Sequence, residues 1–198
     1  MRTSYRRRGF TLVELMITIA IIGVLAALAI YGVRSYLAAA KTAEAKESVG
    51  EISKLASVVF ERERAASELL GSSVASQKAV NALCNSATVV PNAVPVGTKY
   101  QPNNAVNSDF HTGDSLTGWM CLGFSLSSPI AYQYSYLKGG GYVSPGLGGP
   151  DPGSDGFEAA ARGDLDGDGV ISTIARTGVV VGGSLHVSTQ IFVDKETE

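Results

Sequence analysis

From Leu15 to Val33 the chain runs through nineteen residues whose only breaks in apolar character are Thr18, Gly23 and Gly32. At about 1.5 Å of rise per residue, a helix of that length spans roughly 28 Å, about one bilayer. From Arg34 the pattern changes: Lys41, Glu44, Lys46, Glu47, Glu51 and Lys54 interleave with Ala43, Val49, Ile52, Leu55 and Val59. Ile52, Leu55 and Val59 keep the 3, 4 spacing of a single buried stripe. These two patterns predict one helix from about Phe10 to about Leu70, with Gly71-Ser72-Ser73 as its stop. The charges on its outer half read as a solvated face with opposite-sign pairs such as Glu51 and Lys54.

Further along, Ser73 to Asn107 is rich in Asn, Ser, Val and Pro and reads as a connecting region, with a short helix near Ser76 to Leu83. Ser125 to Leu137 carries period-two alternation, with Ile130, Tyr132, Tyr134 and Tyr136 on one side and Ala131, Gln133 and Ser135 on the other, so it predicts a strand whose tyrosines cover the long helix. Lys138 to Gly156 holds eight Gly and three Pro and is expected to be a long mobile loop. Phe157 to Leu165, Val170 to Val181 and Leu185 to Val193 read as three more strands in a meander, with Gly182-Gly183 as the second turn. The fold class is α+β: one long amino-terminal helix that buries a stripe against one face of a small antiparallel sheet.

Composition sharpens this picture at the amino terminus. The 198 residues suit one domain or at most two, and the formal net charge is −2. Four of the sixteen basic residues, Arg2, Arg6, Arg7 and Arg8, lie in the first eight positions, which leaves twelve basic against eighteen acidic residues, or −6, from Phe10 onward. Strong attraction to bulk nucleic acid is therefore not expected. The apolar run is too long for the core of a cleaved secretory signal, and the small residue that could mark a cleavage site precedes the run instead of following it. Basic residues stay on the cytoplasmic side, so the leader faces the cytoplasm and everything after Val33 lies outside.

The segment Gly9-Phe10-Thr11-Leu12-Val13-Glu14-Leu15-Met16 joins the basic leader to the apolar helix. It resembles the class III signal of type IV pilins and pseudopilins, over about the first 45 residues. Val13 stands where Ile is common, and Tyr31-Gly32 where many pilins have a helix-breaking Pro. The resemblance implies that a prepilin peptidase cuts between Gly9 and Phe10 and methylates the new amino terminus of Phe10. It implies the pilin ladle fold, with residues 1–9 a cleaved leader, 10–33 the transmembrane and filament-core half of the helix, 34–71 its amphipathic half, and 72–198 a globular head made of a connecting loop (72–124) and a sheet region (125–198).

Glu14 reads compatibly from physics alone. A carboxylate within the apolar segment costs roughly 2.5 to 3.5 kcal/mol on insertion scales unless it is paired or lies at the headgroup level. No Lys or Arg lies between Phe10 and Val33. The amino terminus exposed at Phe10 of a neighbouring subunit is a fitting cation, and such a pair sets register in a packed filament. Phe10 and Glu14 are thus the expected assembly residues. The implied partners are further pilin copies, the prepilin peptidase, an inner-membrane platform with a cytoplasmic ATPase, and an outer-membrane secretin. The expected location is the inner membrane before assembly, then the periplasm or a cell-surface filament.

Two other constellations bear on chemistry. Asp164, Asp166 and Asp168 alternate before Gly169, as in the first half of an EF-hand Ca²⁺ loop, but the twelfth position is Ala175 where a bidentate Glu belongs. A plain hairpin turn and a turn that binds Ca²⁺ are both open readings, and no cofactor is required. Cys84 and Cys121 would form a disulfide in an oxidising compartment, or remain two buried thiols. His111 and His186 are the only histidines, and no nucleophile or phosphate loop accompanies them, so an enzyme is not expected. The expected function is a structural subunit of a type IV pilus-like filament for motility, adhesion or DNA uptake. The alternatives are a pseudopilin of a type II secretion system and a membrane-anchored Ca²⁺-dependent binding module that does not polymerise.

Overall fold

The computed structural model describes residues 9–62, 64–65 and 79–196. Its elements in order are helix α1 (Leu12–Glu61), strands β1 (Arg64–Ala65) and β2 (Ala79–Val80), a 3-10 turn (Asp109–His111), helix α2 (Gly118–Leu122), β3 (Gln133–Lys138), a second 3-10 turn (Ser144–Leu147), β4 (Gly156–Gly163), β5 (Ser172–Val181), β6 (Ser184–Val187) and β7 (Phe192–Asp194). The chain divides into two compact units, Met1–Ala39 and Ala40–Glu198. In the first, every described residue from Gly9 to Tyr36 is exposed, Leu12, Met16, Ile22 and Leu28 among them.

In the second unit the helix buries Ala45, Val49, Ile52, Ala56, Val59 and Phe60 in the head core. Leu55, expected in the stripe, is only half-buried. The stripe turns instead through small residues, Ala45, Ser53 and Ala56, which let the tyrosine-bearing face of the sheet approach closely. Helix α1 ends at Glu61, about nine residues earlier than the periodicity suggests. Beyond Phe60 the next residues are Glu61, Arg62, Glu63 and Arg64, so no apolar side chain extends the buried stripe that sustains the helix. Arg64–Ala65 pairs antiparallel with Ala79–Val80. The expected stop at Gly71-Ser72-Ser73 and the start of the expected short helix at Ser76 lie outside the described residues. The end of that helix is overturned, since Ala79–Val80 is a strand and residues 81–84 carry no helical turn.

The sheet has the order β3-β4-β5-β6, all antiparallel, and β7 also pairs with β5. The predicted last strand, Leu185 to Val193, is divided in two. β6 pairs with Gly178–Val181 and β7 with Thr173–Ala175; between them the Ser188 amide still donates to the Thr177 carbonyl at 2.8 Å, while its carbonyl accepts from Arg176 Nε at 2.8 Å. The strand expected over Ser125 to Leu137 is regular only from Gln133, while Ile130 exchanges hydrogen bonds of 2.8 Å with Tyr100 in an isolated bridge. The outer edge of β3 is covered by the connecting region, with Ala87 N donating to the Tyr136 carbonyl and Val90 exchanging bonds with Tyr134. Pairing an edge in this way removes a template for aggregation.

The tyrosines of β3 and the residues before it face the helix, as their alternation predicts. Each hydroxyl finds a polar partner: Tyr132 at Thr42 (3.2 Å), Tyr134 at Ser48, and Tyr136 donating to the Cys84 carbonyl (3.3 Å). Burial pushes the Tyr134 hydroxyl up to about 12 and raises Tyr136 as well. Gly178 makes room for this layer, because a Cβ there would lie 2.4 Å from Cε1 of Phe157.

Candidate functional site

The amino-terminal end of α1 is built by a reciprocal cap. Thr11 precedes the first helical residue, and its Oγ1 accepts the Glu14 amide at 3.2 Å. Glu14 Oε2 in return accepts the Thr11 amide at 3.1 Å and the Thr11 hydroxyl at 2.9 Å. This Thr-x-x-Glu capping box satisfies donors that a helix start leaves orphaned. It gives Glu14 an intrachain role that reading the apolar run alone had missed, although the spacing of Thr11 and Glu14 carries the signal. Gly9 and Phe10 precede the helix as exposed residues outside any regular element. The leader residues 1–8 lie outside the described residues.

Downstream of this cap, the helix exposes an unbroken apolar surface. Leu15, Ile19, Ile22, Leu25 and Val33 are all more than half exposed, as are Val13 and Ile21 on other faces. An all-round apolar helix belongs in lipid or against other helices. It is the one described helix long and apolar enough to cross a membrane. Glu14 is the only charged side chain between Phe10 and Val33 and sits in the first turn of the helix.

The Cys84–Cys121 disulfide is formed, with a Cα–Cα distance of 5.9 Å. It ties the connecting region to α2, the short helix carrying Trp119. Trp119 is fully buried, stacks edge-on against Phe110 at 5.1 Å and donates from Nε1 to the Thr88 carbonyl at 2.8 Å. Phe124 joins both rings at 5.5 Å. Periodicity gave no warning of this cluster, because its members come from three separated turns.

The residues expected to be a mobile loop, Lys138 to Gly156, are built around two side-chain anchors, one of them fully buried. Glu158 on β4 is fully buried, and its carboxylate accepts the amides of Val143 (2.7 Å) and Ser144 (2.8 Å) together with the Ser144 hydroxyl. The Tyr142 hydroxyl accepts the Gly139 amide and donates to the carbonyls of Gly153 and Gly156. Side chains from outside the glycine pattern therefore order the loop, which composition alone could not reveal.

The acidic loop is a turn closed by its own hydrogen bonds. Asp164, itself buried, accepts the Gly167 amide on one oxygen (2.7 Å) and the Gly169 amide on the other (3.0 Å). Asp166 accepts the amide of Asp168, and Asp168 that of Val170. Oxygens of the three carboxylates lie within 4.8 Å of one another. Ala175, the twelfth position of the candidate loop, lies within β5 paired to Ala160 and Phe192, so the segment is a β4–β5 hairpin connection and not a helix-flanked EF-hand. His111 closes the first 3-10 turn and His186 lies on β6; neither is joined to a nucleophile or metal cluster among the described residues.

A capped, exposed apolar helix of this length behind a Gly-Phe junction suits a membrane-anchored chain. Residues 4–30 match the family model for the prokaryotic N-terminal methylation motif, the class III signal. Over 48 residues, 24% of this chain, the sequence is 52% identical to the type IV major pilin protein PilA of Myxococcus xanthus (strain DK1622). The chain matches 22% of that curated relative's length. The likeness to a type IV pilin is thus confined to the amino-terminal stretch that carries the methylation motif. No solved structure matches the chain.

Proposed function

We propose that the chain is a structural subunit of a type IV pilus-like filament. It is cut between Gly9 and Phe10 by a prepilin peptidase, methylated on Phe10, and polymerised from the inner membrane. The observation that carries this reading is the join of three features in one register: the methylation motif, the Thr11–Glu14 cap and the exposed apolar surface that follows. In the uncut chain the Phe10 nitrogen is an amide. Cleavage turns it into a cation four residues from Glu14, and the carboxylate gains a charged partner on its own or a neighbouring subunit. Leaving lipid is then tolerable, because helix packing in the filament core replaces hydrocarbon contact.

Further pilin copies, an assembly platform with a cytoplasmic ATPase and an outer-membrane secretin are the partners this reading requires. Motility, adhesion or DNA uptake is the role it would serve, with residues 1–9, 10–33, 34–71 and 72–198 as leader, filament core, amphipathic half-helix and head. Ca²⁺ at Asp164, Asp166 and Asp168 is not needed for it, since that loop is closed by its own amides. Glu14→Ala in the native host tests it by electron microscopy. Filaments should be lost while the full-length chain still reaches the membrane; undiminished filaments built from the variant would refute it. A processed chain confined to the envelope would instead favour the secretion pseudopilin, and an uncut chain that never polymerises the anchored binding module.

A further inference from the structure

We infer that the head carries a binding pocket for a small organic oxyanion, a carboxylate or phosphate ester, with Arg162 as its recognition group. The outward face of the sheet ends in a polar row set by register: Gln133, Arg162, Thr173 and Asp194 lie side by side on β3, β4, β5 and β7. Elsewhere on that face the Ser144–Leu147 turn covers the sheet over Glu158. At the Arg162 end a cleft of about 430 Å³ is left between that turn, the Gly169–Ile171 end of the acidic hairpin and the chain at Asp194–Lys195. A volume of that size lies in the range of small-molecule sites.

Arg162 is part-buried in this cleft, and its Nε is enclosed with no acceptor among the described residues. No ion pair among the described residues involves it, Asp194 included; the sole one is Lys46–Glu196. Arg176, the other arginine of the sheet, spends its Nε on the Ser188 carbonyl, so the lack of a partner is particular to Arg162. With Nε sealed, the terminal guanidinium nitrogens, which are not enclosed and stay charged, are the donors that the cleft presents. Its planar fork matches carboxylate and phosphate oxygens in a bidentate pair. Lys195 lines the same cleft, so two cations face one carboxylate in a chain that is otherwise acidic. Leu147, Val170 and Ile171 supply apolar walls, which favour an oxyanion attached to a hydrocarbon or ring over a bare ion.

The test uses the full chain in detergent micelles, titrated with benzoate and with inorganic phosphate. Arginine side-chain NMR is the readout, with calorimetry alongside. Benzoate should shift and slow the exchange of the Arg162 Nε–H and bind at least tenfold more tightly than phosphate. Arg162→Gln should weaken benzoate binding at least tenfold, while Lys99→Gln, a cation away from the cleft, should leave it unchanged. Equal binding by Arg162→Gln, or a wild-type Arg162 signal unmoved by both probes, overturns the proposal. If Arg162→Gln does not fold, the wild-type Nε–H response alone decides. Phosphate binding as well as benzoate would overturn the organic assignment.

Discussion

Replacing Glu158 tests whether one buried carboxylate orders the glycine-rich loop. Its two oxygens accept the Val143 and Ser144 amides at 2.7 and 2.8 Å inside a fully buried site, and Ser144 Oγ has a second partner in the Pro150 carbonyl at 3.0 Å. Glu158→Leu therefore strands two backbone donors while the Ser144 hydroxyl keeps an acceptor. At about 1–3 kcal/mol for each unsatisfied group, the loss is on the order of 2–6 kcal/mol. Glu158→Gln retains one acceptor oxygen but turns an amide N–H toward the other donor, for a loss of about 1–3 kcal/mol. Urea unfolding of the full chain in micelles, followed by the fluorescence of the single tryptophan, Trp119, reads the loss. Hydrogen exchange at Val143 and Ser144 shows whether the loop opens first. Both variants within about 0.5 kcal/mol of wild type, with those amides still protected, would refute the account of the loop.

Other expectations follow from the same contacts. Replacing both Cys84 and Cys121 by Ser should lower stability by up to about 3–4 kcal/mol, the chain-entropy value for a loop closed across 37 residues, as measured by denaturant midpoint. Gly178→Ala should cost about 1–3 kcal/mol in the same assay, because its Cβ falls 2.4 Å from the Phe157 ring and that ring is locked in the core. The Tyr134 hydroxyl is raised from 10.0 to about 12 by burial, so the fold favours its neutral form. That contribution is complete below about pH 10 and is lost as pH rises toward 12; the unfolding midpoint should fall across this window in wild type and less in Tyr134→Phe. A constant midpoint would contradict the burial of that hydroxyl.

How much of this was legible in the sequence depended on periodicity. The 3, 4 spacing along α1 and the period-two run Ile130 to Tyr136 located the helix and the strand that covers it, because each pattern is one face of one element. The end of α1 was missed because Glu61 to Arg64 are by residue type good helix formers, whereas the buried stripe stops at Phe60. The division of the last strand was hidden because the change of register between the Gly178–Val187 and Thr173–Asp194 pairs alters pairing without altering composition. At the amino terminus, Gly9, Phe10 and Glu14 were readable as a local motif, and so was the chemistry of a carboxylate in an apolar run. Arg162 was not: it becomes notable only when the sheet register places it in a cleft without an acceptor. The Cys84–Cys121 pairing was one of two open readings until the connecting region and α2 were seen to meet.

The claim that this chain is a processed filament subunit is tested most directly by mass spectrometry of material sheared from the cell surface. The account predicts abundant chain beginning at N-methylated Phe10, without residues 1–9, in preparations where electron microscopy shows filaments. Chain retaining an intact Gly9–Phe10 bond, in cells that still make filaments containing it, would contradict it.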